Sequence, residues 1–210
     1  MDDYFDDFGK CALAITSAQL AKETAVKEYG IGEDIATHFI GWVGPTLLVI
    51  AQMKAELSKE PHPIRFAKCR KLCLFMKKYW GVTGITMVAE GYCSLSSEKT
   101  KHLELNKAFL DSSLPVKECL TVTHIGTTDE GETMPVAMLA APYTIGVGKV
   151  VNWEELLIYP ADGDKHTRHS LYPIMLEQTM AERFESTVSL TQYTEIKKEL
   201  STEGFLLQEF

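Results

Sequence analysis

The chain has 210 residues, 45% of them hydrophobic and 24% charged, with a formal net charge of −8 at pH 7. A chain of this length suits one domain and buries a core without disulfides or metal. The acidic balance opposes general adhesion to DNA or to anionic membranes.

An N-terminal helix is predicted from about Asp3 to Glu28, a stretch with no proline and only Gly9 as glycine. Asp2, Asp3, Asp6 and Asp7 suit a helix N-terminus, where the backbone dipole favours negative charge. They also stand where a secretory signal would carry basic residues, so a cytoplasmic location is expected. Cys11, Ala14, Ala18, Ala21 and Ala25 form a stripe of small apolar residues, read as core or as a close helix contact. Gly30 and Gly32 end the element.

A second helical region is predicted from about Glu33 to Leu57, broken at Gly44-Pro45. Within it, Ile35 to Met53 holds 19 residues without Asp, Glu, Lys or Arg. That length approaches a membrane span, but His38, Gly41, Gly44, Pro45 and Gln52 interrupt it. A buried core helix is expected, and no membrane partner.

Residues 58–63 read as a loop. A third helix is predicted from Ile64 to Tyr79, with Phe66, Cys69, Leu72, Cys73, Met76, Tyr79 and Trp80 on one face. Arg65, Lys68, Arg70, Lys71, Lys77 and Lys78 occupy the rest. Of these, Arg65, Lys68 and Lys71 are the candidates for a nucleic-acid contact. The remainder of the chain is strongly acidic, however. Docking against the acidic N-terminal helix, or a solvated face, is the preferred reading, and nucleic acid is not an expected partner.

The period then changes. Gly81 to Leu95 alternates as a strand, with Ile85, Met87, Ala89, Cys93 and Leu95 on one face and Thr86, Val88, Glu90, Tyr92 and Ser94 on the other. Residues 96–113 form a polar insert with a weak helical patch at 103–110. Val116 to Thr128 and Thr133 to Tyr143 read as two strands of a hairpin turned at Asp129-Glu130-Gly131. Pro135 and Pro142 mark the second as an edge or a bulged strand. Val150 to Tyr159 suggests a further strand. A helix is expected from Pro173 to about Phe184. The capping box Ser189 to Gln192 opens another, which Gly204 ends. The expected fold is α+β in a single domain over 1–210: a helical lobe over about 1–80, a sheet over about 81–160 and C-terminal helices over about 170–205. The N-terminal helices are expected to pack on one face of a small, mainly antiparallel sheet.

Five cysteines, an odd number with apolar neighbours, read as reduced thiols. Cys69 and Cys73 share a helical turn and could grip a metal, but zinc needs two further ligands, and core packing is the preferred reading. His166 and His169, near Asp162 and Asp164, are weak metal candidates in what reads as a polar surface loop. No metal or cofactor is expected. Glu90 is the one acid of its strand, so it is either a structural anchor or a proton-transfer site. His124 has apolar neighbours across its hairpin, so a satisfied core histidine is the preferred reading; if its strand pairs with that of Glu90, a Glu–His pair is a usable general base. No phosphate-loop, dinucleotide or nucleophile-elbow motif is present.

A helix, then Val88-Ala89-Glu90-Gly91-Tyr92, a polar insert and Cys119-Leu120-Thr121-Val122-Thr123 follow one another over about residues 64–145. That order resembles uncharacterised proteins of prokaryotes and their phages. In those, a strand ending in small–Glu–small–aromatic precedes a hairpin. The resemblance implies a prokaryotic or viral origin and carries no activity. The leading expectation is therefore an accessory protein acting through protein contacts or self-association. An enzyme using Glu90 and a nucleic-acid factor using residues 64–79 are the alternatives. Any small-molecule ligand is left open.

Overall fold

The computed structural model describes residues 2–30, 34–94, 116–127, 133–160, 178–181 and 190–210. The fold is α+β. Its order is α1 (Asp2–Glu28), β1 (His38–Val43), β2 (Thr46–Met53), α2 (Ala55–Ser58), α3 (His62–Trp80), β3 (Gly84–Ser94), β4 (Val116–Thr127), β5 (Thr133–Gly146), β6 (Val150–Trp153), β7 (Leu157–Pro160), α4 (Leu190–Glu203) and β8 (Phe205–Glu209). The strands form one antiparallel sheet in the order β6-β5-β4-β3-β1-β2-β8, with β7 also pairing with β5. No helix among the described residues is long and apolar enough to cross a membrane.

Of the second helical region, only the short α2 at its end is helical among the described residues. Residues 38–53 are instead the hairpin β1–β2, with Val43 opposite Thr46 across a two-residue turn. Gly44 opens that turn at φ +53°, the conformation in which glycine serves a tight hairpin. The apolar run is continuous because both faces of the hairpin carry apolar residues, one face packed under α3 and the other lying beside α1. Phe39, Val49, Ala51 and Met53 join the core formed with α3. Ile40, Trp42, Leu47 and Ile50 face the other way, with Cys11, Ala14, Ile15 and Ala18 of α1. A strand buried on both faces loses its alternation of apolar and polar residues, which makes it resemble a buried helix. The division into a helical lobe before residue 80 and a sheet after it falls with this correction.

The same alternation overturns the expectation that the N-terminal helices share one face. α1 lies on one side of the sheet, whereas α3 and α4 cover the other. The stripe on α1 packs on strands rather than on a helix, and it buries Cys11, Ala14, Ile15 and Ala18 but leaves Ala21 exposed. α3 keeps its predicted face: Cys69, Leu72, Cys73 and Met76 are buried, together with Phe75. It docks on the C-terminal helix rather than on α1. Tyr193 of α4 stacks on Phe75 at 5.5 Å between ring centroids and meets Tyr79 and Trp80 edge-on.

The β4–β5 hairpin is present, and its turn lies outside the described residues. Its register shifts between His124 and Ile125, which pair with Ala137 and Pro135, so β5 carries a one-residue bulge beside the proline. β5 is bulged and interior, not an edge, since β6 and β7 pair along its other side. The expected strand at 150–159 is split into β6 and β7. Of the helix expected at 173–184, only a helical turn at 178–181 lies among the described residues.

α4 ends as expected at Gly204, and the chain then adds β8 to the sheet beside β2. Gly204 has φ +114°, and its carbonyl accepts the Lys54 amide at 2.9 Å. A Cβ there would stand 2.8 Å from the Leu57 Cβ. Gly204→Ala therefore combines a disfavoured backbone with overpacking and costs about 1–3 kcal/mol. In a thermal melt this lowers Tm by roughly 2–4 °C per kcal/mol for a chain of this size.

Candidate functional site

The face of the sheet beneath α1 carries two polar clusters. The first centres on His124 of β4, opposite Thr86 of β3. The Trp42 indole N–H donates to Thr86 Oγ1 at 2.9 Å, and Thr86 Oγ1 lies 2.7 Å from His124 Nδ1. His124 Nε2 faces Asp7 Oδ1 of α1 at 3.2 Å, and Lys10 reaches the same carboxylate at 2.8 Å. The hydroxyl has one proton and two lone pairs, so it satisfies Trp42 together with either tautomer of His124, donating to Nδ1 or accepting from Nδ1–H. Burial pushes the Asp7 carboxyl up, but hydrogen bonds from His124 and Lys10 outweigh it and hold it below its usual range. The order hydroxyl–imidazole–carboxylate imitates a nucleophile with its base. Thr86 and His124 are completely buried, however, as polar groups that satisfy one another inside a core commonly are.

The second cluster centres on Glu90. Lys22 of α1 places its Nζ 2.7 Å from Glu90 Oε1, a close ion pair, while Asp34 lies 3.7 Å from the same ammonium. Lys22 is 2% exposed, Glu90 is nearly buried and Asp34 is 80% exposed. The ammonium also sits 5.1 Å from the centroid of the Tyr143 ring. Burial, with the neighbouring Asp34 carboxylate, pushes Glu90 up to about 7, and Lys22 opposes the shift without cancelling it. One cation thus faces two carboxyl groups, and the buried one takes up a proton near neutrality. Burial and the negative charge of Glu90 likewise raise the Tyr143 phenol.

Beside α1 runs a groove of about 500 Å3. Leu13, Ser17 and Ala21 of α1 form one wall, and Ile40, Ile50, Val88 and Leu206 contribute to its floor. His38 and Gln52 add polar groups, and no lining residue among those described is Asp, Glu, Lys or Arg. Burial holds the His38 imidazole below its usual value despite a hydrogen bond to the Ala36 backbone. Glu90 and Lys22 do not line the groove, although their neighbours Val88 and Ala21 do.

Among the sequence candidates, Glu90 is central. β3 and β4 pair as the general-base idea required, but Glu90 lies opposite Leu120 and His124 opposite Thr86. The two are four residues apart along the strands, about 13 Å at roughly 3.3 Å per residue, so they form no acid–base pair. The three candidate basic residues of α3 make contacts within the chain. Arg65 donates to the Ser58 carbonyl at 2.9 Å, Lys68 pairs with Glu60 at 2.8 Å, and Lys71 meets Glu199 at 2.5 Å and Glu203 at 2.9 Å. Cys69 and Cys73 are buried in the core, and burial raises both thiols, Cys69 to about 12. All five cysteines are free and buried. His166 and His169 lie outside the described residues. Lys22 and Asp7 were missed. Lys22 sits one turn beyond Ala18 on the small-residue stripe, and a lysine on a buried stripe signals a buried charge with a partner.

Compared with known protein families, curated proteins and solved structures, the chain matches none, and the likeness to prokaryotic and phage proteins gains no counterpart there.

Two outcomes test the clusters. Thr86→Val keeps the shape but takes away the acceptor of Trp42 and the partner of His124, and costs about 1–3 kcal/mol in denaturant unfolding. For Glu90, the folded state holds the proton more tightly than the unfolded chain, whose carboxyl titrates near 4.5. Its contribution to stability is thus full below pH 4.5 and is lost as pH rises through about 7. Glu90→Gln cannot titrate. Its Tm relative to wild type should rise steadily across this interval, and a constant difference would show that Glu90 stays charged throughout.

Proposed function

We propose that this protein is a non-enzymatic accessory protein of the cytoplasm that works through protein contacts, with the groove beside α1 as its contact surface. The observation that carries the reading is the lack of charge in that groove's described lining, on a chain of net charge −8. The centres of protein interfaces are depleted of charge in the same way, and large exposed apolar surface on a monomer commonly marks a contact site. Leu13 and Leu206, both on the groove, are about half exposed, and Phe210 just beyond β8 is exposed as well. The ion pairs of Lys68 and Lys71 and the hydrogen bond of Arg65 to the Ser58 carbonyl weigh against a nucleic-acid surface on α3.

An enzymatic reading has one observation in its favour: Glu90 titrates near 7, where a general acid or base is most effective. Against it stands access, since neither Glu90 nor Lys22 lines the groove.

Photo-crosslinking side chains placed at Leu13 and Ile50 test the proposal in cells. Both positions should give covalent protein adducts, whereas Lys59 on the α2–α3 connection should not. Leu206→Glu should reduce those adducts several-fold and Glu90→Gln should leave them unchanged. Adducts no more abundant from positions 13 and 50 than from 59 would overturn the reading, and their loss in Glu90→Gln would shift weight to the acid.

A further inference from the structure

We propose that the occupant of the groove is α1 of a second copy of this chain, so that two copies pair through a self-complementary face made of the outer side of α1 and the groove beside it. The inference rests on the groove being a protein-contact surface, and it adds the identity of the partner.

The first observation is on α1 itself. Its inner side carries Cys11, Ile15, Ala18, Lys22 and Val26 onto the sheet. At 100° per residue, Gly9, Leu13, Thr16, Ser17, Leu20 and Thr24 point the other way, and all six are exposed. None is charged. Leu13 is 56% exposed and Leu20 is 66% exposed, one heptad apart on the same side. The two threonines turn their hydroxyls back onto the helix: Thr16 donates to the Ala12 carbonyl and Thr24 to the Leu20 carbonyl, each at 2.8 Å. What α1 presents outward over four turns is therefore leucine, methyl and glycine surface. A solvated helix face ordinarily carries charged residues.

The second observation is the space beside it. On the α1 side, the groove floor is built from β1, β2 and β8, neighbours at the end of the sheet, with Val88 of β3. Strands about 4.8 Å apart make a three-strand strip about 10 Å across, which is about the width of one helix with its side chains. The strip lies next to α1, as a second helix in the same layer would. Ser17, Ala18 and Ala21 on the wall are small enough for that helix to approach closely.

Charge selects the partner. Two chains of net −8 repel each other over most of their surfaces. Over residues 9–20 the outer face of α1 brings no carboxylate, and neither does the described groove lining. That span is one on which identical acidic chains can meet without opposing like charges. One chain supplies both the helix and its receptor, and the contact closes on itself under a two-fold axis.

Light-scattering mass measured on the eluting protein tests this directly. Wild type in the high-micromolar range should have twice the chain mass, and Leu13→Glu with Leu20→Glu should have one chain mass with an unchanged far-UV circular dichroism spectrum. Leu20→Glu alone, at a position pointing away from the chain's own core, should weaken pairing at least tenfold and serves if the double variant folds poorly. A single-chain mass for wild type would overturn the proposal, as would a double mass that survives both leucine substitutions. The latter would place the contact elsewhere, for example between β8 edges. If wild type is a single chain yet positions 13 and 50 still give adducts with another protein, only the identity of the partner fails. If the adducts are lost as well, the contact-surface reading fails with it.

Discussion

The placement of α1 rests on a requirement: buried polar groups of the sheet must find partners in the helix that covers them. Thr86, Glu90 and His124 all project from β3 and β4 toward α1. Leaving a carboxylate or an imidazole there without a partner would cost several kcal/mol. Asp7 meets His124 near one end of the helix, and Lys22 meets Glu90 four turns later. Between them lies a stripe without charge, Cys11, Ala14, Ile15 and Ala18, on Val88, Leu120 and Val122. Apolar contacts alone would tolerate sliding of a small-residue helix over a flat sheet. Two polar contacts at separated points allow one position.

The groove follows from that position. Held over β3 to β6, α1 leaves the β1–β2–β8 end of the same face outside its footprint. The opposite face at that end is closed by α3 and α4, where Phe39, Met53, Leu57, Leu72, Met76 and Phe205 join in one core. The contrast between the two faces of a single hairpin is thus a consequence of where the helices are anchored. It is also why Leu13, Leu47, Ile50 and Leu206 remain partly or half exposed there, while Ile40, Trp42 and Val88 beneath them are buried.

Glu90 shows how one residue serves two demands. Lys22 alone, at 2.7 Å, would hold the carboxyl ionised. Desolvation and Asp34 act in the opposite direction and prevail, which places its titration near neutrality. Asp34 is exposed and precedes Ile35 and His38, which line the groove. Asp34 beside the α1 anchor and the edge of the groove therefore share one short segment of chain.

Some of this was legible from residues alone. The alternation in Gly84 to Ser94, the hairpin of β4 and β5, the amphipathic face of α3 and the end of α4 at Gly204 are local properties, set by periodicity and by backbone preference within one element. The importance of Glu90 was also legible, because an acid among strand residues demands a partner wherever the strand lies. Its partner was not, nor was the nature of residues 38–53. A run such as Thr46-Leu47-Leu48-Val49-Ile50-Ala51 becomes a strand because one face packs under α3 and α4 while its other apolar face lies beside α1, and that is a property of the assembled layers. Likewise Glu90 and His124 carry the residue types of a catalytic pair, but a register of four residues separates them, and register is decided by every side chain of both strands together. The sequence determined which groups had to be buried and satisfied. The tertiary structure alone decided which group satisfied which, because the pairing of distant residues depends on the order of strands in the sheet and on the face each helix covers.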